Sequence, residues 1–232
     1  MREGLNAHAD GGAHVEELIV TGEAADRHPD LVARAAALDV RTTSATDEVV
    51  AELCETVTPQ GLVAVVGWVD VSLEVVLRRQ PRLIAVLADV RDPGNAGSVV
   101  RAADAAGADA VVFAGDSVDP YNGKAVRASV GGVFHVPIVT GLSVGQTLAT
   151  LHDADLTLLA ADGAGEQDLD AISGLERPTA WVFGNEAWGV PREVIEQTDG
   201  AVRIPIYGRA ESLNLATAAA LCLYASARAQ RA

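Results

Sequence analysis

Residues 89–106, DVRDPGNAGSVVRAADAA, organise the rest of the chain. The apolar run LIAVL at 83–87 precedes them, DPGN at 92–95 is typical of a turn, and an alanine- and valine-rich helical pattern follows. The stretch therefore predicts a strand, a tight turn and a helix, with Asn95 at the helix start and Arg101 one to two turns inside. Such a turn brings backbone N–H groups and a positive helix end to the sheet edge at which α/β proteins bind ligands. The plainer alternative is an ordinary strand–helix turn with an N-capping Asn and a solvated Arg.

The composition is typical of a globular protein. A chain of 232 residues can form one large domain or two small ones, and 49% hydrophobic residues exclude a disordered chain. No apolar run approaches the roughly 18 residues that span a bilayer, and residues 1–14 lack the apolar region of a signal peptide. Cys54 and Cys222 lie far apart, which favours reduced core thiols in a cytoplasmic protein over a disulfide or a zinc site.

The charge is unevenly distributed. A formal net charge of −15 argues against non-specific nucleic-acid binding, because the phosphate backbone would be repelled. Cations nevertheless cluster near the motifs described here: Arg78, Arg79, Arg82, Arg91, Arg101, Lys124, Arg127, Arg203 and Arg209. A local basic patch is therefore compatible with the acidic total.

The first part of the chain predicts a small α/β unit. Strands are expected at 17–21, 40–43 and 62–66, and helices at 29–38 and 46–56. In the second helix Thr46 is the predicted N-cap, and the side chains expected to face inward are Val49, Val50, Leu53 and Cys54. An α/β layer usually opens with a strand and none precedes Arg2, so a first strand is expected to be lacking. The segment 72–81 is the predicted boundary, which gives domains at 1–72 and 81–232.

From residue 83 onward strands and helices alternate. Strands are predicted at 83–88, 110–113, 134–137, 156–160, 179–183 and 201–204, and helices at 96–106, 122–129, 144–152, 192–196 and 212–229. This alternation predicts a parallel sheet with helices on both faces. No G-x-G-x-x-G follows a strand, which disfavours a nucleotide-dependent oxidoreductase, one of the alternatives.

Two later segments also combine a strand end with polar residues. In WVFGNEAWGVP at 181–191, Gly184 permits close backbone approach and Glu186 lies in the loop. In IPIYGRAESLNL at 204–215, Ser212 is the predicted N-cap of the last helix and Asn214 lies in its first turn. That helix is apolar nearly all round, so a second copy of the chain is expected to cover one side.

In this order the three segments resemble the SpoU (TrmH-like) branch of the SPOUT RNA 2′-O-ribose methyltransferases. The matching residues are N-x-G-x-x-x-R-x-A at 95–103, VFGNE-x-x-G at 182–189, IPI at 204–206 and SLN at 212–214. SVGGVFHVP at 129–137 is also similar, and the resemblance covers 82–232. Residues 1–70 resemble the L30e-like RNA-binding domain that often precedes this catalytic domain.

The resemblance implies a mostly parallel α/β sheet with a C-terminal deep trefoil knot, preceded by a small L30e-like α/β domain. It implies S-adenosyl-L-methionine as cofactor and a homodimer formed through the C-terminal helix. From the cysteine spacing and the short apolar runs, no metal and no membrane association are expected. The implied cofactor-binding residues are Ala160, Phe183, Gly184, Asn185, Ile204, Pro205, Ile206 and Leu213.

The implied catalytic residues are Arg101, Asn95, Glu186, Ser212 and Asn214. A guanidinium is protonated at any working pH, so Arg101 is expected to bind phosphate and stabilise charge on the 2′-oxygen rather than act as a base. Asn95 is expected to orient Arg101 or the ribose, and Glu186 to hold Arg101 or accept the proton. The candidate RNA contacts are Arg91, Lys124, Arg127 and Arg209.

The expected function is methylation of a ribose 2′-hydroxyl in large-subunit (23S) ribosomal RNA. The alternatives are a tRNA 2′-O-methyltransferase and a catalytically inactive RNA-binding or ribosome-assembly protein. The sequence does not choose the target nucleotide.

Overall fold

The computed structural model describes residues 1–54 and 58–232. The chain forms two compact units, Met1–Val69 and Asp70–Ala232. Helix α5 of the second unit, Leu73–Leu77, lies inside the segment predicted as the boundary. Its Leu73 and Val76 are buried in the core of that unit.

The first unit has a three-stranded sheet in the order β2-β1-β3, with β1 parallel to β2 and antiparallel to β3. Its elements are α1 (Arg2–Ala9), β1 (Val15–Val20), α2 (Gly22–Arg27), α3 (Pro29–Ala37), β2 (Arg41–Ser44), α4 (Asp47–Leu53) and β3 (Leu62–Val66). Leu5, Leu18 and Leu31 are among the residues of its core. The segment before β1, where the sequence pattern suggested a lacking strand, is helix α1.

Helix α4 confirms Thr46 as an N-cap but corrects the predicted inward face. The Thr46 hydroxyl accepts a hydrogen bond from the Val49 amide at 3.5 Å. Val50 is buried, whereas Val49 and Leu53 are exposed. Residues four apart share a strip of a helix, so the strip with Val50 faces the sheet and the strip with Val49 and Leu53 faces away. The last predicted residues of this helix, 55 and 56, lie outside the described residues.

The second unit is a mostly parallel α/β sheet, as predicted. Its strand order is β6-β5-β4-β9-β7-β10-β8, and every registered pair in it is parallel. The strands are β4 (Leu83–Ala88), β5 (Ala110–Ala114), β6 (Ile138–Leu142), β7 (Thr157–Ala161), β8 (Gln167–Asp168), β9 (Thr179–Phe183) and β10 (Gly200–Arg203). The helices after α5 are α6 (Pro93–Ala106), α7 (Gly123–Ser129), a 3-10 turn (Gly132–Phe134), α8 (Val144–Asp153), α9 (Arg192–Ile195) and α10 (Leu215–Ala229).

Helices cover both faces of this sheet. Every residue of β4, β5 and β9 is buried, as expected for strands packed on both sides. Side chains from α6 and α10 form one core cluster, and side chains from α5, α8 and α9 form the other. Buried Trp181 donates its indole N–H to the Ser226 hydroxyl at 2.9 Å, which ties β9 to α10.

Two predicted boundaries in this unit are wrong. Residues 134–137 are not a strand, because the chain turns after α7 through Val130 and Gly131 at φ 52° and 94° and then forms the 3-10 turn. Strand β6 begins only after Pro137, which has no N–H to donate. Helix α10 begins at Leu215 rather than at 212, and the short strand β8 was not predicted. The trefoil knot stays a prediction, because strand order alone does not describe how the chain threads.

The strand order creates a crevice at the carboxyl ends of the central strands. From β4 the chain runs through β5 and β6 to one side, while β9 and β7 lie on the other. Ligands bind at such a reversal in open α/β sheets. Among the described residues, no helix is both long and apolar enough to cross a membrane.

Candidate active site

The start of α6 is capped by Asp92 and not by Asn95. The Asp92 carboxylate accepts a hydrogen bond from the Asn95 amide at 2.7 Å, and Pro93 at the first helical position suits this arrangement. The hydrogen bond from Lys124, 2.9 Å away, and the one from the Asn95 amide lower the pKa of Asp92. Because Asp92 caps the helix, the Asn95 side chain is available for other contacts.

Glu186 holds the loop that leads into α6. Its Oε2 accepts a hydrogen bond from the Arg91 amide at 3.2 Å, and its Oε1 accepts from the Asp92 amide at 3.1 Å. Oε1 also accepts from the side-chain amide of Asn95 at 3.2 Å. The carboxylate from the second motif therefore fixes the backbone of the first.

Asn214 connects the third motif to the same group. Its Oδ1 accepts a hydrogen bond from the Ala216 amide at 2.9 Å, which makes Asn214, and not Ser212, the N-cap of α10. Its Nδ2 donates to Oδ1 of Asn95 at 2.8 Å. Glu186, Asn95 and Asn214 thus form a chain of hydrogen bonds, named here the three-motif network.

The loop after β9 is held by close backbone packing. A Cβ on Gly184 would lie 2.1 Å from the Gly189 carbonyl oxygen, so only glycine fits there. Asn185 and Gly189 exchange two backbone hydrogen bonds, at 3.0 and 2.8 Å. The buried Asn185 side chain donates to the Asp89 carbonyl at 2.8 Å and accepts from the Ala187 amide at 2.9 Å. The second motif is therefore tied to the first by both Asn185 and Glu186.

A cavity of about 830 Å³ lies where β7, β9 and β10 end and α10 begins. Its lining includes Asn95, Ala161, Asp162, Gly163, Gly184, Asn185, Glu186, Ile204, Pro205, Ile206, Glu211, Ser212, Leu213 and Asn214. Ala160 and Phe183, predicted as cofactor contacts, are instead buried within their strands and do not line it. The next residue in each case, Ala161 and Gly184, lines the cavity.

The charged groups of the cavity lining are mostly acidic. Asp162, Glu186 and Glu211 contribute carboxylates. The guanidinium of Arg203, which also lines the cavity, donates to the Gly165 carbonyl at 3.1 Å and lies 3.5 Å from the Asp168 carboxylate. Sequence reasoning missed Asp162 and Glu211, although each lies in a loop that follows a predicted strand. No group of three His, Cys, Asp or Glu side chains in the described ranges is placed to hold a metal ion.

Arg101 is set apart from the network. It lies on α6, is exposed, and does not line the cavity. Within residues 1–54 and 58–232, its side chain makes no hydrogen bond or ion pair. Glu186 and Asn95 were expected to hold or orient Arg101, but neither forms a hydrogen bond with it. Both are bonded within the three-motif network and to the entry loop of α6.

The candidate RNA contacts differ in their partners. Lys124 pairs with Asp92, and Arg91 lies 3.8 Å from the Asp116 carboxylate and 5.6 Å from the ring centroid of Trp188. Arg127 and Arg209 are exposed. Trp188, which is also exposed and lies in the loop of the second motif, was missed by sequence reasoning.

Two protein-family models match the chain. The model described as SpoU rRNA Methylase family matches residues 82–224. The model described as RNA 2′-O ribose methyltransferase substrate binding matches residues 4–67. The two matches fall in the two compact units.

Individual relatives agree with these models. The chain is 35% identical to the 23S rRNA (guanosine(2553)-2′-O)-methyltransferase RlmP of Bacillus subtilis, over 73% of this chain and 66% of that protein. It is 32% identical to the 23S rRNA (guanosine-2′-O-)-methyltransferase RlmB of Neisseria meningitidis, over 90% of this chain and 85% of that protein. The crystal structure of the SpoU methyltransferase AviRb of Streptomyces viridochromogenes in complex with AdoMet matches with a TM-score of 0.84 and 30% identity, over 99% of this chain and 88% of that one. The chain therefore belongs to the SpoU rRNA methylase family, as its three motifs predicted.

Proposed function

We propose that this chain transfers a methyl group from S-adenosyl-L-methionine to a ribose 2′-hydroxyl of 23S ribosomal RNA. The observation that carries the proposal is the cavity built by the later two motifs and joined to the first by the three-motif network. The names of the relatives supply the RNA class. The two free cysteines and the kind of substrate support a cytoplasmic location.

The cavity fits S-adenosyl-L-methionine in size and charge. Its volume lies within the range of about 300 to 1,000 Å³ that is usual for small-ligand sites. Partly exposed Ile206 and Leu213 offer apolar surface for an adenine ring, and the loops after the strands offer backbone amides and carbonyls. The carboxylates of Asp162, Glu186 and Glu211 favour a ligand that carries sulfonium and ammonium charges.

When bound, S-adenosyl-L-methionine supplies a methyl group on a good leaving group. The chain must then position the ribose hydroxyl and stabilise the charge that develops on its oxygen. Exposed Arg101 suits a phosphate next to the target ribose, because its donors are not engaged by other described residues. Ser212, exposed on the cavity wall, is available to hold the nucleotide.

Glu186 is better suited to positioning than to proton transfer. Both of its oxygens already accept hydrogen bonds from the α6 entry loop, and Oε1 accepts two. Asn95 and Asn214 extend that support to the start of α10. We therefore assign these three residues the role of holding the motifs together around the cavity.

The active form is proposed to be a homodimer formed through α10. Leu221 and Tyr224 are each 43% exposed on that helix, whereas Cys222 and Leu223 are buried. A second copy would cover this exposed apolar face of α10. It would also bring its own cavity near Arg101, so that Arg101 would lie close to a bound methyl donor. Leu221→Asp should yield a folded monomer with little methyl transfer; sedimentation measures the mass, and an unchanged dimer would contradict the interface.

The proposal is tested with a labelled methyl donor. Purified protein and labelled S-adenosyl-L-methionine are incubated with unmodified 23S, 16S and transfer RNA transcripts, and 2′-O-methylation is mapped. Label at one position of 23S RNA is expected. Label only in transfer RNA would correct the substrate, and binding of the donor with no transfer to any RNA would favour the non-enzyme alternative.

A further inference from the structure

We propose that Trp188, together with Arg91, forms a stacking surface for an unpaired base of the RNA substrate beside the cavity. The inference deepens the proposed function and rests on it for the identity of the RNA. It assigns a substrate-positioning role to Trp188, which occupies an unspecified position of the second motif match, VFGNE-x-x-G at 182–189.

The exposure of Trp188 requires an explanation. Of the three tryptophans in the chain, Trp181 is fully buried and hydrogen-bonded, whereas Trp68 of the first unit is 77% exposed and Trp188 is 56% exposed. Only Trp188 lies in a loop whose residues line the cavity. Removing the apolar surface of an indole from water is favourable by about 25 cal/mol for each Å². A large aromatic surface left in water at the rim of a binding cavity is therefore suited to contact a ligand.

The backbone on both sides of Trp188 is fixed. Trp188 lies inside the loop that is closed by the paired backbone hydrogen bonds of Asn185 and Gly189. The Asn185 side chain also accepts a hydrogen bond from the Ala187 amide. Ala187 and Gly189, the direct neighbours of Trp188, both line the cavity. Trp188 itself does not line the cavity, so it lies next to the cavity wall, on a loop whose backbone is already held. Little backbone entropy is therefore lost when a ligand stacks on the indole.

Arg91 supplies the second half of the surface. Its guanidinium carbon lies 5.6 Å from the ring centroid of Trp188, within cation–π range. Its backbone amide is held by Glu186, and its guanidinium lies near Asp116. Aromatic rings, the indole among them, and arginine guanidinium planes are surfaces on which proteins stack unpaired RNA bases.

The charge balance favours stacking as a source of RNA affinity. The chain carries a net charge of −15, and Lys124 and Arg91, two of the four candidate RNA contacts, lie beside carboxylates. Phosphate attraction is therefore weak for an RNA-binding protein. A base that stacks on Trp188 adds affinity that depends little on charge, and it must be unpaired because a duplex hides its faces.

The first test compares three replacements at position 188 in the methyl-transfer assay with 23S transcript. Trp188→Phe keeps an aromatic face, Trp188→Leu keeps apolar bulk without one, and Trp188→Ala removes both. We expect kcat/KM for RNA to fall about 5- to 150-fold in the Ala and Leu variants, which is the fold-change equivalent of one base stack. The Phe variant should stay within a few-fold of wild type, and the affinity for S-adenosyl-L-methionine should not change.

Three results would overturn the inference. One is an Ala variant with wild-type kcat/KM. Another is a Leu variant as active as the Phe variant, which would indicate plain apolar contact. The third is a parallel loss of cofactor affinity and melting temperature in the Ala variant, which would indicate a structural role.

A second test does not depend on catalysis. In a Trp68→Phe background Trp188 is the exposed indole that remains, since Trp181 is buried. A short unstructured RNA oligonucleotide should quench its emission, whereas an abasic oligonucleotide of equal length and charge should not. Equal quenching by the two, or none, refutes stacking; quenching by the base-containing RNA alone together with no methyl transfer would leave stacking intact and refute the proposed function.

Discussion

The two sides of the site differ in how far the chain fixes its own side chains. On the cavity side, Glu186 and Asn214 each share a hydrogen bond with Asn95, and Gly184 packs directly against the Gly189 carbonyl. On the outer side, Arg101 and Trp188 are exposed, and Arg101 has no bonding partner among the described residues.

We relate this difference to the ligands proposed for the two sides. A small ligand that enters a cavity benefits from groups already in place, because no order has to be gained on binding. A large RNA brings its own phosphates and bases, so the groups that meet it remain in water until it arrives. Substitutions on the two sides should therefore separate cofactor binding from RNA use.

The largest expected effect comes from the outer side, in Arg101→Ala. Loss of a donor to developing charge typically costs about 10²- to 10³-fold in turnover, while affinity for S-adenosyl-L-methionine should change by no more than a few-fold. Arg101→Lys should also be severely impaired, because an ammonium cannot make the bidentate phosphate contact. Single-turnover methyl transfer and calorimetry measure the two quantities.

The matched control is Arg192→Ala, which removes an exposed arginine of α9 that pairs with Glu196. It should keep wild-type turnover. If Arg101→Ala also kept it, the assignment of Arg101 would be wrong and the two sides would not differ in function.

The next effect comes from the cavity side, in Gly184→Ala. The added methyl would meet the Gly189 carbonyl oxygen at 2.1 Å, so the loop of the second motif must move. Overpacking of this kind costs about 1 to 3 kcal/mol, and we expect a lower melting temperature together with weaker cofactor binding. Gly145→Ala in α8 is the control, since its Cβ would meet only a side-chain oxygen at 3.7 Å. Unchanged cofactor affinity in Gly184→Ala would show that the cavity side is less rigid than its packing indicates.

The sequence predicted the sheet better than the site. The apolar runs that became β4 and β9 are bounded by turn residues and are buried on both faces, so a local pattern was enough. The pattern failed at 134–137, where only Phe134 belongs to the 3-10 turn and no strand forms, because the reversal at Val130 and Gly131 depends on backbone angles that the pattern does not contain.

The candidate site residues were predicted as residue types, but their mutual hydrogen bonds were not predicted. Asn95 lies 91 positions from Glu186 and 119 positions from Asn214, and its hydrogen bonds to them exist only because three loops meet at one sheet edge. The N-cap of α6 was within reach of the sequence, because Pro93 at the first helical position indicates Asp92 as the cap.

A smaller effect should follow from Asn214→Asp, which removes one bond of the three-motif network. Asp still caps α10, but it cannot donate to Asn95 as the amide does. Loss of one such bond corresponds to a decrease in methyl-transfer activity of up to about tenfold, with little change in stability. Asn122→Asp, at the N-cap of α7, makes the same chemical change away from the network and should remain as active as wild type. Equal activities of the two variants would mean that Asn214 acts only as a cap.

The smallest expected effect is the pH dependence of the α6 cap. The Lys124 ammonium and the Asn95 amide bond to the Asp92 carboxylate and lower its pKa, so the folded state binds this proton less readily than the unfolded state. Its stabilising contribution is therefore complete above the ordinary carboxyl pKa of about 3.9 and is lost as the pH falls through that value toward the lowered one.

Asp92→Asn keeps a capping oxygen but not the charge, and because both partners are exposed it should cost less than about 1 kcal/mol near neutral pH. The difference in melting temperature between wild type and variant should be full at about pH 5 and should shrink as the pH falls below about 3.9. The control is Asp116→Asn, which removes an exposed carboxylate that caps no helix. If the difference in melting temperature between wild type and Asp92→Asn stayed constant with pH, the charge would not contribute to the cap.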